Sequence, residues 1–180
     1  YVQHRDHSAA RLSGFRHHGA GQARDGRQHQ PDVERLAGVQ RAADDGAVVA
    51  STLENPGDNI VSAATWTSGG GWSFLGCLPG VPPTPEQPAQ CGSAYDISGD
   101  GSVLVGLAWH GDTFRAEGFR WTSGSGMVGL GQPAGFSSRA TAVAADGTVS
   151  GGFYEDESSG QRRPVRWIGT GAPDLFIDPQ

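Results

Sequence analysis

The chain has 180 residues, a length that fits a single domain. Hydrophobic residues make up 36% and charged residues 18%, which is typical of a globular protein with a sparsely charged surface, and no apolar run of about 18 residues predicts a membrane span. The net charge of −6 argues against a nucleic-acid partner, because binding to phosphates requires a basic surface.

Residues 1–41 show neither the period of an amphipathic helix nor that of a strand. We expect a poorly specified or disordered arm here. An alternative is that this segment is translated out of frame, which the nucleotide sequence would decide. The chain begins at Tyr1 without an apolar signal-peptide core, so we expect it to be a piece of a longer precursor.

A repeated pattern begins at about residue 42. An Asp-Gly pair occurs three times, a tryptophan follows each aspartate by 21 positions, and a large apolar residue follows each tryptophan by nine. The units are offset by 55 and 46 residues, and a Pro-rich insert at 81–88 supplies the extra length. These spacings predict a structural repeat over 42–180. The repeated positions are Asp45, Gly46, Trp66 and Leu75, then Asp100, Gly101, Trp121 and Leu130, and finally Asp146, Gly147, Trp167 and Phe176.

Each unit is predicted to contain four short strands. In the second unit they are 94–98, 102–107, 117–121 and 127–130. An Asp-Gly pair between apolar alternations predicts a hairpin with a type I′ turn. Four strands and one tryptophan in about 45 residues are typical of a β-propeller blade. We therefore predict an all-β fold, a β-propeller-like repeat of four-stranded antiparallel blades, with three recognisable blades at about 42–80, 92–132 and 137–177.

The pattern also predicts how the blades associate. Apolar side chains such as Val103, Phe119 and Trp121 would fill the space between neighbouring sheets, and a lone unit could not bury them. Closed propellers usually have four to eight blades, so we expect a partial or open propeller. Further blades, or another copy of the chain, would complete it. A β-sandwich or a solenoid built from the same hairpins is the alternative architecture.

Three runs of residues resemble a known family: 138–147, 118–122 and 126–131. They are similar to the HAF-type extracellular repeats of bacterial secreted proteins, and the similarity covers roughly residues 42–177. The resemblance implies an exported, propeller-like domain located outside the cell or at its surface. It brings no catalytic residues with it.

Cys77 and Cys91 flank the Pro-rich insert. Because the resemblance implies export to an oxidising compartment, we predict a disulfide between them, which would close a loop of about 15 residues. The alternative is a pair of free, partly buried thiols.

Several other clusters have an ordinary structural interpretation. Residues 96–102 resemble the start of a calcium loop, but the full set of ligands does not recur in the sister units, so a plain hairpin turn is predicted. Residues 155–157 could form a paired-carboxylate site, and a solvated acidic loop is the favoured interpretation. His110, near Asp112, has no nucleophile beside it in the sequence. We predict no catalytic, cofactor-binding or metal-binding residue.

Two tryptophans, Trp72 and Trp109, lie outside the repeated positions. Exposed aromatic rings can stack on sugars, although packing at a blade edge is the more frequent role. A small basic group, Arg162, Arg163 and Arg166, could pair with the acidic residues 155–157 across one hairpin.

These features favour a non-catalytic extracellular or surface repeat domain that binds a protein or a polysaccharide, or serves as a structural module. The alternative is a propeller enzyme, a hydrolase or lyase acting on extracellular polymers, with loop carboxylates at one end of the sheets. A third hypothesis is a degraded or mistranslated reading frame. An enzyme would gather acids with perturbed pKa values, whereas a binding module would present an exposed aromatic or charged face.

Overall fold

The computed structural model describes residues 39–79, 91–109 and 115–176, all within the compact unit Pro31–Gln180. Twelve strands in these ranges form three four-stranded antiparallel sheets, here called the first (β1–β4), second (β5–β8) and third (β9–β12) sheets. This confirms the predicted all-β repeat of four-stranded units. The strands are β1 Val39–Ala42, β2 Val48–Asn55, β3 Ile60–Thr67, β4 Gly71–Phe74, β5 Gly92–Ile97, β6 Val103–Trp109, β7 Ala116–Thr122, β8 Gly126–Gly129, β9 Phe136–Val143, β10 Val149–Asp156, β11 Arg162–Ile168 and β12 Asp174–Leu175.

The first sheet starts earlier than the repeat pattern suggests. β1 begins at Val39, so it includes residues that the sequence assigns to the arm. Its exposed Gln40 and Arg41 hide the strand pattern, because no apolar alternation marks them. Residues 1–38, with the disordered-arm and frame hypotheses, lie outside the described residues. In the described ranges no helix has the length and hydropathy to cross a bilayer.

Each Asp-Gly pair lies in the hairpin between the first two strands of its sheet, as predicted, but the turn type differs. A type I′ turn needs positive φ at two central residues. Here only the glycines have positive φ, +68° at Gly46, +72° at Gly101 and +70° at Gly147. The Gly101 N–H donates to the Ser98 carbonyl (2.9 Å), and the Ser98 N–H donates to the Val103 carbonyl (2.8 Å). The loop is therefore longer than two residues, with glycine as its single left-handed position.

The aspartate of each pair stabilises the same turn through its side chain. Asp45 accepts the Ala47 N–H (2.8 Å), and Asp146 accepts the Thr148 N–H (3.0 Å). Asp100 accepts three bonds at one oxygen, from the Ser102 N–H (2.9 Å), the Ser102 hydroxyl (2.8 Å) and the Ser98 hydroxyl (2.7 Å). The calcium-like run 96–102 is thus an ordinary hairpin turn whose carboxylate bonds to its own chain.

Two apolar clusters hold the sheets together. The first, between the first and second sheets, buries Leu104 and Phe119, with Trp121 partly buried against it. The second, between the second and third sheets, buries Val105, Leu130 and Trp167. The repeated tryptophans Trp121 and Trp167 therefore lie in successive interfaces, and the fully buried Trp167 donates its indole N–H to the Leu130 carbonyl (3.1 Å).

Backbone hydrogen bonds also connect the sheets at equivalent turn positions. The Asp44 N–H of the first sheet donates to the Gly99 carbonyl of the second (2.8 Å). The Gly99 N–H then donates to the Ala145 carbonyl of the third sheet (2.9 Å). Because the three residues occupy the same position in their repeats, each sheet is joined to the next by the same contact.

The first strand of each sheet carries a β-bulge at the same place. Register shifts leave Gln40 in β1, Tyr95 in β5 and Thr141 in β9 without a paired residue on the neighbouring strand. A bulge changes the direction of a side chain and increases the local twist of the strand. The bulge therefore changes the side-chain direction at the same position of all three sheets, although the three residues differ in type.

Cys77 and Cys91 form the disulfide that the sequence predicts. Cys77 follows β4 and Cys91 precedes β5, so the bond connects the ends of the first and second sheets. The Cys91 N–H also donates to the Val61 carbonyl (2.8 Å), which fixes this residue against the first sheet.

Candidate binding cleft between the second and third sheets

A cleft of about 330 Å³ lies between the second and third sheets. This volume falls at the small end of the range for ligand pockets. Most of its lining is polar or charged, with one aromatic side chain. The lining residues are Trp109, Arg115, Ala116, Ser137, Arg139, Glu155 and Glu157.

The hairpin topology brings these residues to one end of the two sheets. Trp109 ends β6, and Arg115 immediately precedes β7. Arg139 lies in the first half of β9, and Glu155 is the second-last residue of β10, which ends just before Glu157. Because adjacent strands are antiparallel, the end of β6 lies beside the start of β7, and the end of β10 lies beside the start of β9.

Both glutamates of the cleft are paired with arginines. Arg115 contacts Glu157 at 2.9 Å, and Arg139 contacts Glu155 at 3.4 Å. Arg162, outside the cleft, donates to the second oxygen of Glu155 at 2.7 Å. The side chains of Arg139 and Glu155 are 21% and 24% exposed, and those of Arg115 and Glu157 are 37% and 34% exposed. Such pairs contribute about 0–1 kcal/mol each, so their main effect is to orient the charged groups.

The arginines also favour the charged form of Glu155. The hydrogen bond from Arg162 and the charge of Arg139 keep the pKa of Glu155 below its ordinary 4.5. Glu155 is therefore a carboxylate at neutral pH. Both arginines also lie over the Phe153 ring, at 4.5 Å for Arg162 and 5.5 Å for Arg139, which restricts their orientation further.

Tyr95, the bulged residue of β5, supports Arg139 from the second sheet. Burial raises the pKa of the Tyr95 hydroxyl, while the charge and hydrogen bond of Arg139 oppose that rise. The bulge thus directs a phenol toward the arginine that lines the cleft. Three side chains, Tyr95, Glu155 and Phe153, position Arg139.

The structure separates the predicted candidates. Within the acidic run, Glu155 and Glu157 line the cleft, whereas Asp156 bonds to Ser158 in its own turn (2.9 Å and 2.6 Å). Of the basic group, Arg162 pairs with Glu155 of the acidic run (2.7 Å), whereas Arg166 pairs with Asp174 (2.7 Å).

The two unassigned tryptophans also differ. Trp109 lines the cleft, whereas Trp72 pairs with Trp66 within the first sheet. His110 and Asp112 lie outside the described residues. Sequence reasoning missed Arg115 and Arg139, because single arginines in two different repeats carry no spacing signal.

The repeated residues and the cysteines do not line this cleft. The Asp-Gly pairs lie in turns, Leu75 and Leu130 pack between sheets, and Cys77 and Cys91 border a second cleft of about 230 Å³ beside the first sheet.

Comparison with known proteins shows the fold. No protein-family model and no curated protein matches the chain. A TolB-type protein from Agrobacterium tumefaciens is 15% identical with a TM-score of 0.53, over 76% of this chain and 44% of that one. TolB from Acinetobacter baumannii is 14% identical with a TM-score of 0.49, over 77% of this chain and 31% of that one. This chain thus spans less than half the length of either protein. The resemblance to HAF-type repeats stays a prediction, and the Agrobacterium structure shows that the three sheets have a propeller-like arrangement.

Proposed function

We propose that this domain is a non-catalytic extracellular binding module whose cleft between the second and third sheets binds a neutral polysaccharide. The observation that carries the proposal is the combination of Trp109 with two arginine–glutamate pairs in one cleft. An aromatic ring supplies an apolar face for a sugar ring, and oriented polar groups can hydrogen-bond to its hydroxyls.

The charge balance favours a neutral ligand over a charged one. Each arginine of the cleft lies beside a glutamate, so the two charges of a pair largely cancel for a ligand at a distance. A carboxylate or ammonium ligand would meet a like charge beside each group that attracts it. A hydroxyl group can instead use the remaining N–H donors and carboxylate lone pairs without breaking an ion pair.

The same pairs argue against the alternative of a hydrolase. Glycoside hydrolysis normally needs one protonated carboxyl group with a raised pKa, beside a second carboxylate. The pKa of Glu155 is lowered, and Glu157 lies 2.9 Å from an arginine. The geometry therefore suits hydrogen bonding to a sugar better than proton donation to one.

Two observations support a location outside the cytoplasm. The repeats resemble those of secreted bacterial proteins, and the Cys77–Cys91 disulfide is of a kind that persists in oxidising compartments.

Calorimetric titration with neutral and uronic-acid oligosaccharides tests the proposal. We expect the unmodified protein to bind a neutral oligosaccharide. Trp109→Ala should weaken binding by about tenfold, which corresponds to about 1.4 kcal/mol. Trp72→Ala is the matched control, because it removes a partly buried indole outside the cleft and should leave affinity unchanged.

A second variant tests the charge argument. Glu157→Gln leaves Arg115 without its carboxylate partner and should shift preference toward the uronic-acid oligosaccharides. Equal effects of Trp109→Ala and Trp72→Ala on affinity would contradict the cleft as the binding site. Release of new reducing ends by the unmodified protein would favour the hydrolase.

A further inference from the structure

The outer face of the third sheet carries features with which the preceding sheets contact the sheet that follows each of them. One of these is a valine that packs on a glycine. A Cβ atom on Gly101 would lie 2.8 Å from the Val48 side chain, and one on Gly147 would lie 2.6 Å from that of Val103. Val149 is the equivalent valine of the third sheet, and no described glycine lies against it.

A second feature is a backbone donor. Asp44 and Gly99 each donate their N–H to the turn of the following sheet. The equivalent donor of the third sheet is the Ala145 N–H, which has no acceptor in the described ranges.

A third feature is an arginine in the third strand. Arg120 of the second sheet donates to the Gly147 carbonyl of the following sheet (3.2 Å). Arg166 occupies the same position in the third sheet, where it pairs with Asp174 of its own sheet and lies 5.6 Å from the Phe176 ring. Arg166 is thus oriented along the outer face.

The apolar part of this face is open. Leu75 and Leu130 pack into the two interfaces, but the equivalent Phe176 is 58% exposed, and Ile168 beside Val149 is 62% exposed. A Cβ atom on Gly151 would meet no atom within 4 Å. The corresponding Ala50 and Val105 are completely buried beneath the next sheet. Large apolar side chains of this exposure on one sheet face mark an interaction surface.

We propose that the outer face of the third sheet is a docking surface for a further four-stranded sheet of this same repeat type. That sheet would carry a tryptophan in its third strand, whose indole N–H reaches the Phe176 carbonyl as Trp167 reaches Leu130. It would also carry an Asp-Gly turn whose glycine receives Val149. The occupant follows from continuity, because both interfaces already present share the valine-on-glycine contact and the backbone hydrogen bond between turns.

The test extends the full chain by one repeat. Six positions separate Leu130 from Phe136, and appending residues 135–176 directly after Gln180 gives the same spacing from Phe176 to the new strand. We expect the appended repeat to fold against the third sheet. Its amides, and those of Phe176 and Ile168, should exchange at least about tenfold more slowly than in controls that cannot dock.

Two controls carry single changes. Trp167→Ser in the appended copy alone removes the indole that should enter the new interface, and Val149→Asp in the host sheet places a charge where the glycine should pack. Both should release the appended repeat while the three original sheets stay folded. Val149 is only partly buried in the unextended chain, so we expect the three original sheets to tolerate Val149→Asp.

Two results would overturn the proposal. One is an appended repeat that exchanges as fast as its Trp167→Ser control. The other is a stable dimer of the unextended chain that Val149→Asp dissociates while the appended repeat stays unfolded, because the face would then bind a second copy in another geometry. Neither result bears on sugar binding at Trp109.

Discussion

At the scale of single residues, the aspartate and the glycine of each Asp-Gly pair have different roles in the turn. The aspartate accepts hydrogen bonds from the residues that follow it, and the glycine adopts the left-handed conformation that closes the loop. Gly101 and Gly147 have a further task that Gly46 lacks among the described contacts, because the valine of the preceding sheet packs against them. The three Asp-Gly pairs look alike in the sequence, but among the described contacts only the glycines of the second and third pairs meet a valine of the preceding sheet.

This difference predicts unequal costs for the same substitution. Gly46→Ala and Gly147→Ala introduce the same backbone strain, since φ is +68° and +70°. Only Gly147→Ala also forces a Cβ atom against Val103, so it should cost about 1–3 kcal/mol more free energy of unfolding. Urea denaturation of both variants measures this, and equal costs would show that the valine contact is soft.

The second residue-scale prediction concerns pH. Hydrogen bonds from Ser98 and Ser102 hold the pKa of Asp100 at about 2, below its ordinary 3.8. A lowered folded-state pKa stabilises the protein above the unfolded pKa, and the contribution is lost as the pH falls through the folded value. Asp100→Asn keeps an acceptor oxygen but does not titrate. The difference in melting temperature between the unmodified protein and this variant should therefore change between about pH 4 and pH 2, and a constant difference would contradict the role of Asp100.

At the scale of strands and sheets, the interfaces depend on one large side chain each from the third strand. Trp167 is completely buried among Val105, Leu130 and Tyr154, whereas Trp121 is only partly buried against its cluster. The Tyr154 ring lies 6.0 Å from Trp167 in an edge-to-face arrangement. The two tryptophans have the same place in the repeat and different surroundings, so their contributions to stability differ.

Truncation of these indoles should show the difference. Trp167→Ala should lower the free energy of unfolding by about 3–5 kcal/mol, because it leaves a cavity and the Leu130 carbonyl without its donor. Trp121→Ala should cost less, since part of that ring already contacts water. Chemical denaturation followed by circular dichroism measures both losses, and a larger loss for Trp121→Ala would contradict the assignment of the second interface.

At the scale of the whole described unit, the sheets are joined in sequence, and the disulfide reinforces one junction. Cys77 and Cys91 connect the end of the first sheet to the start of the second across the insert. The bond limits the freedom of this segment in the unfolded chain. The described part of the junction between the second and third sheets is instead held by packing, hydrogen bonds and the Arg115–Glu157 ion pair.

Removing the bond should therefore destabilise the protein without changing its fold. We expect Cys77→Ala/Cys91→Ala to lower the free energy of unfolding by about 3 kcal/mol, the value for a loop of this length. A reducing agent should lower the melting temperature of the unmodified protein and leave that of the double variant unchanged. A melting temperature of the unmodified protein that does not respond to reduction would contradict a stabilising disulfide.

The sequence by itself determined the features that depend on neighbouring residues. The strand alternation, the Asp-Gly hairpins and the repeat of one tryptophan per unit are local patterns, and each predicted its element correctly. The turn type was wrong, because the dipeptide Asp-Gly also fits a longer loop in which only glycine has positive φ. The bulges at Gln40, Tyr95 and Thr141 left no signal, since their side chains share no chemistry.

Only the tertiary structure decided which side chains meet. Trp109, Arg139 and Glu155 come from separate strands, and their convergence depends on how the second sheet packs against the third. In the same way, Leu130 is buried because the third sheet packs against it, whereas Phe176 is exposed because no described sheet covers it. Periodic patterns record how a segment folds on its own neighbours, whereas contacts between sheets join residues at separations that no local pattern fixes.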